Sequence, residues 1–127
     1  MVTNQIFREA VFKEDAPFVH VTDFAWDPND IPADEHLRVW RGDWASRYTL
    51  RPGTNQYFCI SIFKPDEKGI ARRRKALFLR TRCIVLDDVR EKLDPDQAAR
   101  LPPPSWILET SPGSEQWGHI LTEPCHD

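Results

Sequence analysis

The stretch CIVLDDV, residues 83–89, constrains this chain more than any other. Four apolar residues, two of them β-branched, read as a strand with a buried face. The strand then runs directly into two adjacent carboxylates, Asp87 and Asp88. Unpaired carboxylates are costly to bury, so the strand has to end at a surface or against a cation. Neighbouring strand residues point to opposite faces, so the two carboxylates meet one ligand only where the strand stops or bulges between them. Without such a ligand, the pair reads as a turn or a helix cap.

The rest of the chain bounds the fold around that strand. A length of 127 residues predicts one domain, large enough to bury a core without disulfides or structural metals. Apolar residues make up 40% and charged residues 29%, which excludes a disordered chain. Eleven prolines against five glycines predict stiff, defined connections. No apolar run exceeds about four residues, whereas a membrane-spanning helix needs about 20. The first residues, MVTNQIFREAVFKEDA, lack the apolar core of a signal peptide, and a cytoplasmic protein is expected. The odd set Cys59, Cys83 and Cys125, with no CxxC, predicts neither a disulfide framework nor a zinc ribbon. Cys59 and Cys83 lie in apolar runs and read as packed thiols. His119 with Cys125, His126 and Asp127 matches no usual zinc spacing.

Charge is unevenly spread. Residues 64–92 hold ten Lys/Arg against five Asp/Glu, a net of +5, and the remaining residues carry a net of −8. A basic segment in an acidic chain can concentrate anionic ligands locally, or it can be a solvated face balanced by its neighbours.

Read along the chain, Thr3 caps a first helix with apolar positions at Ile6, Phe7, Ala10 and Val11. FVHVTDF, 18–24, reads as a short strand in which His20 is a satisfied, half-buried histidine rather than a ligand or base, the other role its position offers. Residues 26–54 carry Trp26, Trp40 and Trp44 with Arg41, Arg47 and Arg51; these aromatics either cover a core or offer stacking surfaces to bases. NQYFCISIF, 55–63, reads as a central strand, and ARRRKALFLRTR, 71–82, as a short helix with Ala76, Leu77 and Leu79 on its apolar face. DPDQAARL is a helix capped at Asp94 or Asp96 and stopped by Pro102–Pro104. SWILET and QWGHIL flank SPGSE as a hairpin with a longer, glycine-containing loop. Alternating strands and helices followed by a hairpin predict an α+β domain with one mixed β-sheet and helices packed mainly on one face.

CIVLDDV together with LPPPSWILETSPGSEQWGHIL, 101–121, resembles the archaeo-eukaryotic primase superfamily in its plasmid and phage (RepB-like) branch. GTNQYFCISIF and RRRKALF precede these motifs in the family order, so the resemblance covers most of the chain. It implies a partial RRM-like primase core and a DNA primase-polymerase, a nucleotidyltransferase of mobile-element DNA replication. Asp87 and Asp88 would be the catalytic carboxylates that hold Mg²⁺ or Mn²⁺. Thr110, Ser111, Gly113 and Gln116 would form a nucleotide-binding motif, with Arg72, Arg73, Arg74 and Lys75 pairing with triphosphate or template phosphates. The implied partners are a nucleoside triphosphate and single-stranded DNA. The chain departs from the family pattern at three places. Asp-Asp stands where many relatives have Asp-x-Asp, and Gln116 stands where many have His. The family's third motif, an aspartate on a later strand, has no counterpart before Asp127. The alternative reading is a primase-derived, non-catalytic protein that binds nucleic acid or a host protein, as an anti-CRISPR-type inhibitor does.

Overall fold

The computed structural model describes all residues from 1 to 127, and the chain divides into two compact units. The first comprises Met1–Arg80 with His126–Asp127, and the second Thr81–Cys125. The fold is α+β, with strands paired in antiparallel fashion and few, short helices.

The first unit is built on β1 (His20–Phe24), all five residues of which are buried. It lies between β2 (Asp43–Trp44) and β3 (Asn55–Phe58), antiparallel to both. Val21 pairs with Phe58 and Thr22 with Tyr57, so these two pairs occupy opposite faces. On the Phe58 face lies α1 (Asn4–Phe12), whose Phe7 and Phe12 rings meet Phe58 edge-on at 5.4 and 6.1 Å. Thr3 caps α1 by accepting from the Ile6 N–H at 3.2 Å. On the Tyr57 face, Phe24 stacks on Tyr57 at 4.7 Å and both rings meet Trp40. Trp40 directly follows α2 (His36–Val39), and the buried Thr22 hydroxyl donates to the Val39 carbonyl at 2.6 Å. Trp40 therefore packs a core. The helices of this unit lie on both faces of its sheet, not mainly on one, because every residue of β1 is buried and both of its sides need cover.

Three further sequence expectations are corrected. The single central strand over 55–63 breaks at Cys59–Ile60 into β3 and β4 (Ser61–Phe63), and the central position belongs to β1. The helix over 71–82 does not form: residues 71–74 are extended coil, a single 3₁₀ turn spans Lys75–Leu77, and β5 (Phe78–Val89) begins at once. No mixed sheet arises, since the β1–β2, β1–β3, β5–β7 and β6–β7 pairs are all antiparallel. The segment read as a short helix feeds straight into a strand, and strong pairing overrides a weak helical preference.

The second unit pairs β5 with β7 (Ser114–Cys125), and β7 with β6 (Trp106–Ser111). Between β5 and β6, α3 (Pro95–Ala99) starts with a full capping box, Asp94 and Gln97 bonding each other's backbone N–H. Gly118 sits opposite Trp106, where an added Cβ would lie 1.8 Å from the indole ring. Cys83 is fully buried, Cys59 half-buried and Cys125 exposed. No helix of the chain is long and apolar enough to cross a membrane.

Candidate functional site

The end of β5 is irregular in the way the carboxylate pair requires. Leu86 pairs with Trp117 and Val89 with Glu115, so Asp87 and Asp88 together face the single residue Gln116. This two-against-one count is a β-bulge. Asp88 takes the left-handed conformation at φ 54°, which aspartate tolerates, and Arg90 does so at φ 73°, which is costlier for its longer side chain. The exposed Asp87 carboxylate accepts the Asp88 N–H at 3.0 Å. The Asp88 carbonyl accepts the Lys92 N–H at 2.9 Å, which closes a turn. That turn brings the Lys92 ammonium onto the Asp88 carboxylate, and the hydrogen bond raises the Lys92 pKa.

Across the bulge, the β6–β7 hairpin turns through Pro112–Gly113, shorter than the loop expected from the sequence. Ser111 pairs with Ser114, and Gly113 has φ 81°. Proline followed by a residue at positive φ is the type II pattern, and it explains the glycine. Thr110 and Ser111 are exposed; the Thr110 hydroxyl lies 3.4 Å from the Ser114 carbonyl. Glu115 accepts from the Trp117 indole at 2.9 Å and from Arg90 Nε at 3.1 Å. Register thus sets Gln116 against Asp87 and Asp88, with Arg90, Lys92 and Glu115 beside them. The sequence reading missed those three residues, although Lys92 stands four positions after Asp88.

The basic run lies in the first unit and is not helical. Arg72 is half-buried with Nε 3.7 Å from Asp66, whose carboxylate accepts the Lys68 and Ile70 N–H groups at 2.9 Å each. Arg73 donates to the Trp40 carbonyl at 2.6 Å. Arg74 and Lys75 are exposed. Arg72 and Arg73 therefore brace loops, while Arg74 and Lys75 present free charge to solvent.

The first unit also contains a cavity of about 460 Å³, lined among others by Asp23, Trp26, Arg38, Arg41, Tyr48 and Arg51. The Asp23 carboxylate lies beneath this lining, with no exposed side-chain surface. Asp23 accepts from the Tyr48 hydroxyl at 2.7 Å, the Arg51 N–H at 2.5 Å, the Arg51 guanidinium at 3.1 Å and the Thr54 hydroxyl at 2.9 Å. Burial pushes this carboxyl up, but those bonds outweigh it and hold it well below the ordinary range. Gly42, at φ 51°, closes the wall so tightly that a Cβ would stand 2.0 Å from the Val21 carbonyl oxygen. Beside it, His20 is buried and its pKa is lowered to about 4, first by desolvation and then by the Arg73 charge; Asp43 and the Arg41 backbone oppose this.

Two carboxylates and the Gln116 amide are oxygen donors suited to a hard divalent cation, and the Lys92 ammonium on Asp88 marks this corner as one that attracts positive charge. No group of three or more His, Cys, Asp or Glu side chains that could hold a metal ion forms anywhere in the chain. The donor set fits a cation that arrives with further ligands of its own, as Mg²⁺ or Mn²⁺ does on nucleotide phosphates. No family model, curated protein or solved structure matches this chain.

Proposed function

We propose that this chain is the nucleotide-binding part of a primase-polymerase-like domain from a mobile element, with an RRM-like primase core. It would bind a nucleoside triphosphate with Mg²⁺ or Mn²⁺ and act on single-stranded DNA. The observation that carries this reading is the bulge that opposes Asp87 and Asp88 to Gln116. Asp87 and Asp88 would hold the cation, which would neutralise charge on the phosphates. The Gln116 amide and the Thr110 and Ser111 hydroxyls would donate to phosphate or sugar oxygens. Gly113 keeps the hairpin tip free of a side chain, with open space around it. The basic residues Arg72, Arg73, Arg74 and Lys75 belong to the first unit and would meet phosphates in their own right, Arg74 and Lys75 directly and Arg72 and Arg73 where these are released from their loop partners.

Glu115, the third carboxylate of this corner, is taken by Arg90 and the Trp117 indole, and no group of three metal-holding side chains forms; this favours, as a second reading, binding without turnover by a primase-derived protein directed at nucleic acid or a host protein. Calorimetry with a nucleoside triphosphate and Mn²⁺, on the wild type and on Asp87→Ala/Asp88→Ala, tests both. Binding that the double variant loses supports the nucleotide site. Equal binding by both proteins, or by neither, overturns it. Primer extension then separates turnover from binding.

A further inference from the structure

The cavity over Asp23 belongs to the first unit and has no part in the Asp87–Asp88 corner. Three guanidinium groups line it, from Arg38, Arg41 and Arg51. Asp23 is the one carboxylate in its lining, and the Arg51 contacts already neutralise it. Arg51 is anchored along one edge by Asp23 while its side chain stays 64% exposed, so the guanidinium is oriented and still has donors to offer. Arg38 is steadied by Glu35, and Arg41 is exposed with no carboxylate partner. Trp26 stands at the rim, 36% exposed, with its backbone carbonyl held by Asn55 at 3.1 Å. Unlike Trp40, whose ring is enclosed by Phe24 and Tyr57, Trp26 leaves apolar surface open to a ligand.

The geometry points to a binding site for one nucleotide unit of a single strand, with its base against Trp26 and its phosphate between Arg41 and Arg51. An indole beside guanidinium groups is the pairing by which proteins hold single strands without reading sequence. A cavity of about 460 Å³ accommodates a mononucleotide-sized group. A free nucleoside triphosphate suits it less well. That ligand brings a divalent cation, and Asp23, the one carboxylate here, is fully taken up by four donors. A phosphodiester has one charge per unit and needs no metal. The choice of nucleic acid over another polyanion rests on the primase-like reading, while the location rests on the cavity alone.

The test is fluorescence anisotropy of a labelled oligothymidylate in EDTA, which silences the metal-dependent corner. Arg41→Glu is expected to weaken binding by tenfold or more and to reduce the salt slope by about one phosphate contact. Trp26→Ala is expected to weaken it by about tenfold and to leave the salt slope unchanged. Both positions are exposed, and circular dichroism confirms that each variant is folded. Wild-type affinity in both cavity variants, or no binding by the wild type, overturns this site. Competition by free thymidine monophosphate at strand-like concentrations overturns it in favour of a free-nucleotide pocket. A wild type that gives no Mn²⁺–nucleotide signal while its strand signal is intact would sink the nucleotide reading and leave this one standing.

Discussion

Lys92 bears directly on the cation site proposed at Asp88. The turn after the bulge delivers an ammonium group to the carboxylate that a divalent cation would need. Lys92 is 73% exposed, so water and salt weaken the pair and it can open. Replacing Lys92 by Met removes the internal competitor while keeping the length of the aliphatic stem. Mn²⁺–nucleotide affinity is then expected to tighten by about two- to fivefold in calorimetry, as a modest surface ion pair allows. A weaker affinity in Lys92→Met would instead assign the ammonium to the bound phosphates. The sequence hints at this pair through its four-residue spacing, but the ion pair depends on the left-handed turn at Asp88, which no local propensity predicts.

The elements were legible in the sequence where local chemistry decides them. Thr3 caps the first helix as expected, Asp94 is the cap of the two offered for α3, and the hairpin turns within SPGSE, over two residues only. The requirement that β5 bulge between Asp87 and Asp88 was also readable, because alternation forbids adjacent carboxylates from sharing a face otherwise. Residues 71–82 misled because Ala76, Leu77 and Leu79 satisfy a helical face, whereas the β5–β7 partner of Thr81 is Cys125, far away in sequence. The Asp23 network was equally hidden, since register and loop closure alone bring residues 23, 48, 51 and 54 together. Two hairpin glycines now separate backbone strain from packing. Gly113→Ala meets open space and bears only the left-handed backbone, a cost of about 1 kcal/mol. Gly118→Ala drives a methyl into the Trp106 ring and should cost roughly 1–3 kcal/mol through forced repacking. Urea unfolding should rank them in that order, with altered tryptophan fluorescence in Gly118→Ala alone; a reversed order would mean that Trp106 gives way freely.

At the scale of the whole molecule, the net charge of −3 conceals buried ionisable groups that make stability depend on pH in two steps. His20 has a folded pKa of about 4 against about 6.5 when exposed, because burial and the nearby Arg73 disfavour its charged form. The folded protein therefore takes up this proton later than the unfolded chain. Its stability is unaffected above pH 6.5, falls between about 6.5 and 4, and receives no further loss from His20 below that. The shift corresponds to a ceiling on the order of 3 kcal/mol. Asp23 acts in the opposite chemical sense and lower on the scale. Its folded pKa is depressed, so its contribution is complete above the unfolded value near 4 and is lost as pH falls further. Urea midpoints at pH 7, 5.5 and 4.5 should thus decline for the wild type and stay nearly level for His20→Gln, which cannot titrate. The two proteins should then fall together below pH 4, where Asp23 takes over. A parallel decline across pH 7 to 4.5 would mean that some other group governs this range and that His20 is protonated as readily in the folded protein as in the unfolded chain.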